Sequence, residues 1–178
     1  VTGETLRALG VSTLEDLQVF TPGVTITNDS MAIVNIRGIG TSAFGVATDP
    51  SSTVHYDGVY IPRPTTSYQD MFDVERIELL RGPQGVLFGR NSAGGTLNIT
   101  SRAPTSELEG ILSATVGNYS RRTFSGSVSG PLGERIRGRQ TVLKNDRDGI
   151  YDNPKTGEKY QVIDRFAARA TLAIDLAE

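Results

Sequence analysis

The sequence contains no cysteine, no tryptophan and a single histidine in 178 residues. Without cysteine there is no disulfide and no thiolate metal site. His55, with no second imidazole, makes a transition-metal centre a poor expectation, and on an extended segment it reads as an ordinary strand residue. No run of ~18 apolar residues occurs, so no transmembrane helix is expected. Positive charge is not in excess either: 18 Lys and Arg face 20 Asp and Glu, which argues against a nucleic-acid surface. There is no G-x-S-x-G, and the glycines between Gly82 and Arg90 lack the G-K-[ST] ending of a phosphate loop. Glu75 and Glu78 stand three apart on a segment read as a strand, so they point to opposite faces and do not make a carboxylate pair. No enzyme and no cofactor are expected.

Glycine, by contrast, is abundant at 20 residues of 178 against a usual ~7%, and hydrophobic content is a modest 37%. That balance fits β structure rich in turns, or a sheet with one wet face. The stretch Asp73–Arg102, DVERIELLRGPQGVLFGRNSAGGTLNITSR, organises the chain. Val74, Ile77, Leu79 and Leu80 form one short apolar run, and Leu97 and Ile99 another, with the length of buried strands. Between them lie Gly82, Gly85, Gly89, Gly94 and Gly95, with Pro83 fixing one turn. Such density implies several positive φ values or very close backbone approaches.

Upstream, Thr2–Leu9 reads as a short helix closed by Gly10. Ser12 and Glu15 form a capping box for a second helix, Thr13–Phe20, ended by Pro22-Gly23. Val24–Thr27 and Met31–Arg37 read as strands. Gly38-Ile39-Gly40-Thr41-Ser42-Ala43, followed by Asp57, has the spacing of a dinucleotide fingerprint. A helix must start at the second glycine for that reading, and SAFGVATDPSS has no helical periodicity, so it is set aside. Thr53–Ile61 reads as two strands around an Asp57-Gly58 turn. A polar loop follows, in which Tyr60, Arg63 and Tyr68 are candidates for a ligand-facing surface. Asp70-Met71-Phe72 reads as one helical turn.

After Ala103-Pro104 the pattern changes. Glu107–Gly117, Ser120–Gly130, Arg135–Lys144 and Val162–Ala177 alternate apolar and polar residues, with a polar loop at Asp146–Glu158. Strands of ~10 residues with one apolar face suit a transmembrane β-barrel wall; an antiparallel sheet packed on one side has the same periodicity.

The residues Val74-Glu75-Arg76-Ile77-Glu78, Arg81-Gly82-Pro83, Leu87-Phe88-Gly89, Ala93-Gly94-Gly95 and Asn98-Ile99-Thr100 closely resemble, in order and nearly without gaps, the segment that closes the plug of TonB-dependent outer-membrane receptors. Leu17–Val24, Ile36-Arg37-Gly38-x-Gly40 and Tyr56-Asp57-Gly58-Val59-Tyr60 resemble that family's earlier plug motifs. The resemblance implies an α+β plug, a small mixed sheet with short helices, over residues 1–104. Residues 105–178 would be antiparallel strands of an incomplete transmembrane β-barrel. Residues 105–178 suffice for roughly four strands where such barrels use about 22, and open edges are not tolerated in hydrocarbon. The chain is therefore expected to be a fragment without its leader or the TonB-binding segment. The family's biology implies the outer membrane of a Gram-negative bacterium, with lipid and TonB and its inner-membrane energising partners as associates. The imported ligand would be scarce, an iron–siderophore complex above all, with cobalamin, haem or oligosaccharide as open alternatives. It also implies a plug–barrel lock at Arg37 and Arg81, with Glu78, and turn roles for Gly38, Gly82, Gly89, Gly94 and Gly95. The competing reading is a soluble periplasmic β-rich binding module without a transport role.

Overall fold

The computed structural model describes residues 1–11, 13–28, 32–40, 49–62 and 72–176. Arg63 and Tyr68, the Ser12 cap and the Asp70-Met71 turn lie outside them. The chain divides into two compact units, Val1–Arg102 and Ala103–Glu178.

The first unit opens with helix α1, Gly3–Ala8. Gly10 takes φ +69°, and the Val11 N–H reaches back to the Leu6 carbonyl at 2.9 Å. This is a Schellman stop, and the two residues it joins, Leu6 and Val11, are both buried. Helix α2 is shorter than expected, Leu17–Phe20. A reciprocal pair joins Thr13 and Asp16: the Thr13 N–H donates to Asp16 Oδ2 at 2.8 Å and the Asp16 N–H to Thr13 Oγ1 at 3.4 Å. The same chemistry, a hydroxyl and an acid three residues on, is available one position later. Residues 14–16 then form tight i→i+3 turns, leaving only four helical residues before Pro22-Gly23.

Strands β1 (Val24–Asn28) and β2 (Ala32–Ile36) pair antiparallel. Val24 lies opposite Ile36 and Ile26 opposite Val34, and all four are buried. The remaining strands are β3 (Ser52–Tyr56), β4 (Val59–Tyr60), β5 (Val74–Arg81) and β6 (Gly95–Ser101). They form a mixed sheet of order β4-β3-β6-β5. Asp57 and Gly58 have φ +48° and +79°, the two left-handed residues of a type I′ hairpin. β3 and β6 are parallel; β5 and β6 are antiparallel. Between β5 and β6 lies the four-residue helix α3, Gly85–Phe88. One sheet face carries Val54, Leu97, Ile99 and Ile77 into a core shared with Leu6, Leu14, Leu17, Ile26 and Ile36. The other face is polar yet buried, with Thr53 and Thr96 joined hydroxyl to hydroxyl at 2.8 Å.

The second unit is an antiparallel meander. β7 (Glu109–Gly117), β8 (Arg121–Pro131) and β9 (Ile136–Arg147) follow in turn. A small hairpin of β10 (Tyr151–Asp152) and β11 (Lys159–Tyr160) occupies the segment read as a plain loop, and β12 (Ile163–Ile174) then pairs with β9. The order is β12-β9-β8-β7, and among the described residues β7 and β12 have no second neighbour. No described helix is long and apolar enough to cross a membrane, which says nothing of strands.

Candidate functional site

The glycine motifs, far apart in sequence, meet at one corner of the first unit. Ile36 and Ile39 exchange backbone hydrogen bonds at 3.0 Å each around Arg37 and Gly38, whose φ values are +54° and +77°. The Arg37 N–H donates to the Gly23 carbonyl at 2.7 Å. Arg81, from β5, donates through Nη2 to the neighbouring Pro22 carbonyl at 3.0 Å. Both arginines therefore address the same Pro22-Gly23 turn, and both are exposed. Gly82, at φ +88°, donates to the Gly94 carbonyl at 3.0 Å, and Gly94 to that of Ser51 at 2.9 Å. A Cβ on Gly94 would lie 2.6 Å from Ser52 Oγ; one on Gly95 would lie 2.3 Å from the Leu80 carbonyl oxygen and 2.9 Å from Ile36 Cδ1. These approaches are open only to glycine. Gly89 closes α3 at φ +73° with its N–H on the Gly85 carbonyl. Glu78 does not join Arg37 and Arg81: it accepts from Asn98 Nδ2 at 3.0 Å and pairs with Arg76 at 3.4 Å. Arg76 also holds Glu75 at 3.0 Å. A register shift between Val74 and Arg76 breaks the alternation that would have separated the two acids.

On the polar face of the sheet, one row runs Tyr60, His55, Asn98, Glu78. His55 is 6% exposed. The Tyr60 ring lies tilted at 5.5 Å from it and the Phe88 ring makes a T-shaped pair with it at 4.9 Å. Burial lowers the imidazole pKa below its ordinary value, and a hydrogen bond to the Gly58 backbone opposes this in part. The ring is therefore neutral at pH 7, and its Nε2 has no hydrogen-bond partner. Tyr60, a ligand-facing candidate, spends one ring face on His55 and remains half-exposed. Asp57 does more than turn the chain: its Oδ1 accepts the Ser101 N–H and its Oδ2 the Ser101 hydroxyl, each at 2.7 Å. Among the described residues no three of His, Cys, Asp and Glu are placed to hold a metal.

The second unit inverts the usual amphipathic order. Leu112, Phe124, Val142, Phe166 and Leu172 are exposed, Leu112 by 89% and Phe166 by 72%, while Ser129, Arg139, Thr141 and Asn145 are buried. The polar face is tied across strands, Thr123 to Asn145 at 2.9 Å, Arg139 to Ser127 at 3.2 Å and Arg137 to Asp175 at 2.7 Å. At one end of the apolar face Lys144 pairs with both Asp146 and Asp164.

A family model described as the TonB-dependent Receptor Plug Domain matches residues 1–96. The chain belongs to this family. Among curated relatives, the pesticin receptor of Yersinia pestis is 32% identical over 162 residues, covering 88% of this chain and 24% of the relative. The ferripyoverdine receptor of Pseudomonas aeruginosa is 27% identical over 174 residues, 92% of this chain and 20% of the relative. The chain thus spans a quarter or less of the length of these relatives. Among solved structures, the ferric yersiniabactin uptake receptor of Yersinia pestis superposes with a TM-score of 0.87 at 29% identity, covering 97% of this chain and 28% of that one.

Within this plug family member, the motif arginines and glycines were visible in the sequence because their residue types are diagnostic. The Pro22 and Gly23 carbonyls that receive the arginines were not, since a backbone acceptor leaves no mark on residue type. Asp57 and Ser101 were also missed as a pair. The Asp-Gly turn signal was complete without a second role for the carboxylate, and 44 residues separate the partners.

Proposed function

We propose that this chain is the plug, residues 1–104, and the opening barrel wall, residues 105–178, of an outer-membrane importer for an iron–siderophore complex driven by TonB. The observation that carries the reading is the inverted second unit. Phe166, Ala168, Ala170, Leu172 and Ile174 are all exposed along one face of β12; the eight steps between the first and last, at about 3.3 Å each, span roughly 20 Å of membrane normal at a tilt of about 40°, and exposed Leu176 extends the row. An outer-membrane barrel needs an apolar band of about 25 Å. In water such a face would be costly, at about 25 cal/mol per Å²; against hydrocarbon it is the favourable solution. The soluble-module reading has to bury this face against something of equal extent. The relatives' names, receptors for ferripyoverdine and ferrioxamine B and an uptake receptor for ferric yersiniabactin, support an iron–siderophore ligand. In this reading Arg37 and Arg81 engage acidic groups of the barrel wall and hold the plug. Tyr60, Arg63 and Tyr68 face the ligand.

The test begins with location. An antibody raised against this chain should detect, in the outer-membrane fraction of the source cells, a heat-modifiable band several times the mass of the 178 residues. Uptake of labelled ferric siderophores under iron limitation should require both that protein and TonB. A soluble band of the chain's own size would return the soluble module.

A further inference from the structure

The loop from Gly82 to Gly94 is closed on itself, and its helix meets the sheet through one aromatic side chain. Its ends are pinned by the Gly82–Gly94 hydrogen bond, and within it the Gln84 N–H donates to the Ser92 carbonyl at 3.0 Å and the Ser92 hydroxyl to that of Gly89 at 2.8 Å. Its helix, α3, turns Val86 fully to solvent and leaves Leu87 79% exposed. Phe88 is the side chain of α3 that lands on the sheet, and it lands on His55. Two buried polar atoms, His55 Nε2 and, within the loop, Asn91 Nδ2, have no hydrogen-bond partner. The closed position thus withholds water from groups that would bind it, and the loop is poised to open.

We propose that His55 is a proton-operated latch for the Gly82–Gly94 loop: the neutral imidazole seats Phe88, and the imidazolium releases it. The proton arrives from solvent at Nε2. The other ring nitrogen keeps its bond to the Gly58 backbone, so the new N–H is a buried donor with no acceptor. A buried cation without a hydrogen-bond partner is costly, and opening the loop lets water solvate it. The ionisable groups on the packed elements do not relieve this. On the turn, Asp57 has both carboxylate oxygens on Ser101. On β5, Glu78 serves Asn98 and Arg76, and Glu75 serves Arg76; Arg81 lies on Pro22. On β4 the group is the Tyr60 phenol. On the loop itself Arg90 pairs with Asp49 at 3.8 Å, and β6 has no ionisable side chain.

The sign follows from linkage. Burial holds the closed-state pKa below the ordinary value of about 6.5 that the opened loop restores. The open state therefore binds more protons as pH falls through that value. The opening constant should rise by up to about tenfold per pH unit until the closed state also titrates. Any effect of acidity on gating rests on the transport reading; the latch itself does not. The experiment is hydrogen exchange on the intact receptor between pH 8 and pH 5, with each rate corrected for intrinsic exchange. Protection over residues 84–92 should fall below about pH 6.5 while residues 95–101 hold. In His55→Phe protection should stay flat with pH, and His55→Gln, which fills less space, should also remove the pH dependence. Flat protection in the wild-type protein, or the same fall in both variants, would overturn the latch.

Discussion

At the residue scale, glycines that look alike in sequence carry unequal demands. Gly82 needs only its dihedral: at φ +88° an added Cβ meets nothing within 4 Å. Gly95 needs both dihedral and space, because at φ +147° its Cβ would meet the Leu80 carbonyl oxygen and Ile36 Cδ1. Gly82→Ala should therefore cost about 1–2 kcal/mol, the strain of a left-handed residue. Gly95→Ala should cost about 3 kcal/mol or more, since strain and overpacking act together. Denaturant unfolding of the plug, followed by exchange over residues 95–101, ranks the two; equal costs would mean the corner relaxes freely. The sequence marked both as turn glycines. It held no sign of their difference, because the atoms that exclude a Cβ come from other strands, Ile36 of β2 and Leu80 of β5.

At the scale of elements, local signals were legible and partners were not. Gly10 and Asp57-Gly58 stand where expected because each satisfies a requirement of its own few residues. Thr13 and Asp16 form a second hydroxyl–acid pair, one position on from Ser12 and Glu15, that the reading left unused. The parallel pairing of β3 with β6 could not be read from periodicity, since neither strand contains information about its neighbour. For β12 the alternation fixed the faces correctly but not what each face meets. A substitution decides that. Ala170 lies mid-way along the exposed face of β12, and Ala170→Arg should reduce barrel stability by about 2–4 kcal/mol if that face meets the bilayer midplane. On a water-exposed face the same change is worth within about 0.5 kcal/mol. The measurement is unfolding of the receptor from lipid vesicles, read by the heat-modifiable band.

At the scale of the whole molecule, the two units use opposite solvents for their apolar residues. The first gathers Leu6, Leu17, Ile36, Val54 and Leu97 into a closed core, while the second presents its large side chains outward. In the proposed importer, a plug built like the first has to seal a pore and still be releasable, which would place the burden on a few directional contacts. Arg81 is the one to remove. Its bond to the Pro22 carbonyl is exposed and is worth about 1 kcal/mol, enough to brace the corner and no more. If Arg81 also neutralises an acid of the surrounding wall, Arg81→Ala leaves a buried charge unpaired, at about 3–5 kcal/mol. The two roles separate by magnitude. A lock predicts that Arg81→Ala raises small-solute leakage through the intact receptor and lowers exchange protection across the plug. A brace predicts wild-type leakage, with any loss of protection confined to residues 20–24 and the adjoining end of β5. Leakage without ligand, measured in cells carrying the variant, therefore tests whether this arginine closes the channel or only squares its own corner.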